Sequence, residues 1–107
     1  MISAEAFRAA ALALPEAVER ETWTATFRVG DKMFAALWPD ELTACLKSTL
    51  AEQAELVAER PETFSVGYLG KYGWVLVRLS TVDPGELREL LAEAWRRAAP
   101  RRLLSGP

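Results

Sequence analysis

From Thr22 to Val29 the chain alternates without a break, with Trp23, Ala25, Phe27 and Val29 on one side and Thr22, Thr24, Thr26 and Arg28 on the other. This period of two marks a strand buried on one face. Gly30-Asp31 follows, a two-residue hairpin turn whose first position wants positive φ, and Met33 to Trp38 returns almost wholly apolar. A lone hairpin is not stable in water, so it needs further strands and a second layer over its apolar face.

The rest of the chain supplies both. Pro39-Asp40 marks another turn, and Leu42, Ala44 and Leu46 alternate with Thr43, Cys45 and Lys47 as a third strand of an antiparallel meander. Before the meander, Ser3 caps a helix to about Leu14, with Phe7, Ala11 and Leu14 on one face and Pro15 after it. Pro15 to Glu21 reads as an acidic connection. After the meander, Ser48 or Thr49 caps a second helix to about Arg60, with Leu50, Ala54 and Val57 as its stripe and Glu52, Glu55 and Glu59 outward.

Thr63–Leu69 and Trp74–Leu79 read as two more strands around the glycine-bounded loop Gly70-Lys71-Tyr72-Gly73, a second hairpin. Asp83-Pro84-Gly85-Glu86 then starts a last helix with an acidic cap, proline at the first position and glutamate at the third. Leu87, Leu91, Ala94 and Ala98 mark its buried face, widened by Leu90 and Trp95. The expected fold is an α+β two-layer sandwich with an antiparallel sheet, in the order α-β-β-β-α-β-β-α. Residues 1–107 form one domain, with 99–107 as a flexible tail.

Composition narrows the chemistry. Among 107 residues there is no histidine and one cysteine, Cys45. Imidazole bases, histidine metal sites, internal disulfides and thiolate clusters are therefore excluded within the chain. Cys45 sits among apolar residues and reads as a small core side chain. Glu16, Glu19 and Glu21, and the helical pair Glu52 and Glu55, read as solvated carboxylates. Gly67, Gly70 and Gly73 are spaced like a phosphate-binding loop but lie between two strands, where no helix N-terminus follows. The expectation is a non-enzyme without cofactor, metal or catalytic residues. No uncharged stretch approaches a membrane span. Ser3 to Leu14 reads as an amphipathic helix rather than a leader, so a cytoplasmic protein without a membrane partner is expected.

Charge is uneven. Residues 1–95 carry −6 and residues 96–107 carry +4, from Arg96, Arg97, Arg101 and Arg102. Those arginines suit an anion contact, or equally the C-terminal end of a helix dipole. Trp23, Trp38, Trp74 and Trp95 fit core positions. Tyr72, beside Lys71 at a hairpin tip, does not. Lys32 occupies the matching position on the first hairpin, with Arg28 nearby. Two lysine-tipped hairpins suit a two-winged nucleic-acid binder, and equally edge hairpins guarded against aggregation.

The stretch Phe27-Arg28-Val29-Gly30-Asp31-Lys32-Met33-Phe34-Ala35 resembles the F-x-V-x-G-K-M-F-A hairpin of the MmcQ/YjbR proteins. Leu46-Lys47, the glutamate-rich helix ending at Pro61, Tyr68, Trp74 and the run from Glu86-Leu87 to Trp95 extend the resemblance over nearly the whole chain. It implies an α-β3-α-β2-α sandwich like that of CyaY and of secretion chaperones, in a bacterial cytosolic protein. It also implies DNA binding through two wings, residues 28–33 and 69–74. The contacts it implies are Lys32 and Lys71; with the charge and aromatic reading above, the expected nucleic-acid-binding residues are Arg28, Lys32, Lys71, Tyr72, Arg96, Arg97, Arg101 and Arg102. Many members carry an Asn-Lys-Arg-His-Trp-like second wing where this chain has Gly70-Lys71-Tyr72-Gly73-Trp74. With so few wing charges, DNA binding is expected to be weak and salt-sensitive. The alternative is a chaperone-like adaptor or homodimer, using an apolar sheet face around Phe34, Trp38 or Tyr68.

Overall fold

The computed structural model describes residues 2–104. In chain order the elements are α1 (Ala4–Leu12), β1 (Val18–Glu21), β2 (Ala25–Val29), β3 (Lys32–Leu37), β4 (Thr43–Leu46), α2 (Leu50–Glu59), β5 (Phe64–Ser65), β6 (Val75–Arg78), α3 (Pro84–Ala98) and α4 (Arg101–Leu104). A single 3-10 turn spans Gly70–Tyr72. The six strands form one antiparallel sheet in the order β1-β2-β3-β4-β6-β5. The molecule is the expected α+β sandwich with one strand more than the sequence suggested.

The helix starts follow from their caps. Ser3 Oγ accepts from the Ala6 amide at 3.0 Å, Thr49 Oγ1 from that of Glu52 at 3.1 Å, and Asp83 Oδ2 from that of Glu86 at 3.0 Å. α3 lies across β2, β3 and β4, with α1 beside it. Leu87, Leu91, Ala94 and Ala98 of α3 and Phe7 and Ala11 of α1 pack on Phe27, Val29, Phe34, Leu37, Leu46, Val75 and Val77. Phe7 meets Phe27 edge-on, with ring centroids 5.6 Å apart.

Three sequence expectations give way here. Pro15 to Glu21 is not all connection, because Val18–Glu21 pairs with β2 as an edge strand. All four of its residues are exposed, so no alternation betrays it; pairing with the adjacent strand β2 defines it. Thr63–Leu69 is a strand only at Phe64–Ser65. A Cβ on Gly67 would lie 2.7 Å from Leu76 Cδ1, so the chain leaves the ladder there and crosses closely above the sheet. On α2 the buried residues are Gln53 and Leu56, while Leu50 and Ala54 are exposed. The helix is turned so that the Gln53 amide donates to the carbonyls of Gly70 at 2.9 Å and Trp74 at 2.6 Å.

Nor does the described part of the tail hang free. Arg101–Leu104 forms a helical turn, Leu103 packs against the core, and Pro100 closes on Gly30, where a Cβ would lie 3.1 Å from its Cδ. Residues 105–107 lie outside the described residues.

Candidate ligand site on the open sheet face

The β2–β3 turn is the first wing. Gly30 and Asp31 both have positive φ, +56° and +67°, the type I′ geometry that matches the twist of two strands. Lys32 leaves the turn exposed. Ala35 pairs with Leu46 and Leu46 with Val75, so residues 70–74 lie at the same end of the sheet as this turn. Yet they do not project as a β-ribbon. The 3-10 turn ends on Gly73 at φ +93°, and a Cβ there would lie 3.0 Å from the backbone at Thr49 and Leu50. Together with the Gln53 hydrogen bonds, this seats the second wing on the start of α2. Tyr72 is 65% exposed, with Lys71 Nζ 5.2 Å from its ring centre.

The basic C-terminal segment is folded into the protein. Arg96 pairs with Glu93, Arg97 with Glu52 at 3.7 Å, and Arg102 grips Glu16 through two hydrogen bonds of 2.7 and 2.9 Å. The Arg102 guanidinium holds the Glu16 carboxyl below its usual range. Arg101 is exposed. Arg28 is half-buried and donates from Nε to Thr26 Oγ1 at 3.2 Å.

The feature that sequence reasoning located least well lies between the wings. Across the sheet from α1 and α3, a cavity of about 210 Å³ opens, lined by Trp23, Thr24, Thr26, Met33, Ala36, Trp38, Cys45, Tyr68, Leu69, Trp74, Leu76 and the backbone of Gly67 and Gly70. Ala36, Cys45 and Trp74 form its buried floor, supported by Met33, Leu69 and Leu76. Trp23 and Trp38 form its lip, with rings 5.0 Å apart and tilted by 41°. Trp23 is 70% exposed and Tyr68 87%. Trp23 is thus no core residue; it precedes β2 instead of pairing within it. Phe34, expected on an exposed apolar face, is fully buried under α3, because an irregularity in β2–β3 pairing opposite Phe27/Arg28 shifts the alternation.

The polar groups of the cavity are already engaged. The Thr24 hydroxyl donates to the Leu37 carbonyl and that of Thr26 to Arg20 at 2.8 Å. Burial pushes the Cys45 thiol up to about 12. Lys47 Nζ stands 5.6 Å from the Trp74 ring centre at the rim. Among the described residues no group of three or more histidine, cysteine, aspartate or glutamate side chains converges for a metal, and no helix is long and apolar enough to cross a membrane. One sequence signal did point here: the strand at 33–38 is apolar on both faces, and Trp74 and Leu76 put apolar side chains on the open side of 74–79.

An antiparallel α+β domain, helices on one side and an aromatic cavity on the other, is the class these features define. The chain belongs to the YjbR family, whose model matches residues 12–97. Its fold is similar to the crystal structure of a Deinococcus radiodurans protein with a DUF419 domain, at 30% identity and TM-score 0.78, over 89% of this chain and 77% of that one. It is also similar to that of a Pseudomonas syringae protein, at 20% identity and TM-score 0.68, over 88% and 97% of the two chains. No curated protein matches significantly.

Proposed function

We propose that this is a non-catalytic binding protein that holds its ligand on the open face of the sheet. The aromatic cavity carries this reading. An apolar cavity of about 150 Å³ takes benzene, whereas drug-sized ligands occupy about 300–1,000 Å³. At about 210 Å³ the site fits one planar ring of a ligand whose remainder lies outside. The engaged threonine hydroxyls and a Cys45 thiol raised to about 12 leave the cavity lining without a ready base or nucleophile, which supports a binding role over a catalytic one.

A second reading, DNA contact through the two wings, draws support from Lys32, Lys71 and Tyr72, exposed at the same end of the sheet. The C-terminal arginines add less to it than their number implies. Arg96, Arg97 and Arg102 each hold a glutamate, and phosphate binding would first have to break those pairs.

Titration with anilinonaphthalene sulfonate, an aromatic anion, tests the cavity reading. One saturable site is expected, about tenfold weaker in Trp23→Ala, which removes the lip, and in Ala36→Leu, which fills the floor. Absent saturation, or unchanged affinity in both variants, overturns it.

A further inference from the structure

We propose, building on the cavity reading, that the open face is a platform for single-stranded nucleic acid: a base enters the cavity and the flanking phosphates lie on the cations around it. Directly opposed residues of an antiparallel pair share a face, so the register sorts the strand charges. Glu19 and Glu21, the acidic residues of the strands, oppose Phe27 and Ala25 and turn to the helix side. Arg28 alternates with Phe27 onto the open face and reaches Thr26 of the cavity wall. Lys47 lies over the Trp74 ring, and Arg78 stands two residues beyond Leu76 on β6, opposite Thr43.

Among the described residues Arg28, Lys47 and Arg78 form no ion pair, whereas Arg8, Arg60, Arg96, Arg97 and Arg102 are each paired with a glutamate. Arg20, on the open face opposite Thr26, is held by Asp31 at 3.7 Å. A chain with net charge −2 therefore presents unpaired cations beside exposed rings on one side.

That combination fits one chemistry. Stacking needs the flat face of an unpaired base, which Trp23, Trp38 and Tyr68 offer in or beside a cavity of ring size. A duplex hides those faces and shows only base edges in its grooves. An apolar protein segment would fill the cavity but gain nothing from the three cations.

Fluorescence anisotropy of the full chain with a labelled twelve-nucleotide oligothymidylate, alone and annealed to its complement, tests this. The single strand should bind more tightly than the duplex. Its logarithmic salt slope should be about −2, since each single-strand phosphate contact contributes about −0.7. Arg78→Gln should flatten that slope by about 0.7. Trp23→Ala should weaken binding about tenfold and leave the slope unchanged. Both side chains are exposed, so folding tolerates the changes.

Duplex binding as tight as single-strand binding, or a slope that Arg78→Gln leaves unaltered, overturns the proposal. No oligonucleotide binding at low salt while the naphthalene probe still saturates overturns it and leaves the cavity reading standing. Silence from both ligands defeats both.

Discussion

One sheet presents two unlike faces built from the same strands. Toward α1 and α3, Phe27, Phe34, Leu37, Leu46, Val75 and Val77 are almost wholly removed from water. On the other side Trp23 and Tyr68 keep most of their surface wet, around a floor of Ala36, Cys45 and Trp74. Burying the first set supplies the main driving force for folding. Leaving the second exposed adds little stability, and such patches mark places where something else binds. The face that stabilises the fold and the face proposed to bind can therefore be probed separately, by substitutions on either side of the sheet.

The largest effect tests that separation. Phe27→Ala, which removes a fully buried ring from its edge-on contact with Phe7, should cost about 3–5 kcal/mol in urea unfolding. Trp23→Ala should cost no more than about 1 kcal/mol, because that ring is 70% exposed and its main contact is Trp38. Equal losses would mean that the open face is a second core and not a binding surface.

A middle effect sharpens the comparison at the boundary of the cavity. Gln53 is a polar residue in a buried position of α2, and its amide satisfies two carbonyls of the 66–74 segment. Gln53→Leu removes the side-chain donor from the Trp74 carbonyl and leaves that of Gly70 with the Gly73 amide alone, at a cost of about 2 kcal/mol. Amide exchange at Tyr72 and Gly73 should accelerate while the β2 amides keep their protection. Uniform acceleration would show that this segment and the sheet open as one unit.

Gln53 also shows where sequence legibility ends. The hairpin at Gly30-Asp31, the three helix caps and the buried stripe of α3 are local, written in period and cap chemistry, and they stand in the structure as read. β1 depends on pairing with the next strand, the rotation of α2 on carbonyls 17 and 21 residues away, and the early end of β5 on the close approach of Gly67 to Leu76. A glutamine serving two distant carbonyls reads in sequence as an ordinary surface residue. The candidate site was harder for the same reason. Trp38, Tyr68 and an apolar sheet face were visible as an alternative, but Phe34 was placed on the wrong side by a shift in pairing register that no local pattern records. Of the cations on the open face, Arg28, Lys47 and Arg78, only Arg28 was legible as a wing residue, while Lys32 opposes Val29 on the helix side. The sorting of those three onto one face, away from Glu19 and Glu21, needed the strand register.

The smallest effect lies on the helix side, where Arg8, Arg60, Arg96 and Arg102 are each paired with a glutamate. The Glu16 carboxyl is lowered from 4.5 by its hydrogen bonds to Arg102, and this pair fastens the turn that carries Leu103 to the core. A carboxyl lowered in the folded state stabilises above its unfolded value, and that contribution fades as pH falls through the lowered one. The Leu103 methyl resonances should therefore hold steady from neutral pH down to about 4.5 and move only below it. In Glu16→Gln they should already sit at the shifted position at neutral pH and lose that titration. Both partners are solvent-exposed, so salt should mimic the substitution, and global stability should barely respond. Movement beginning well above 4.5 would assign the docking to another group. It would also weaken the reasoning that sets this side's neutralised arginines apart from the unpaired cations of the open face.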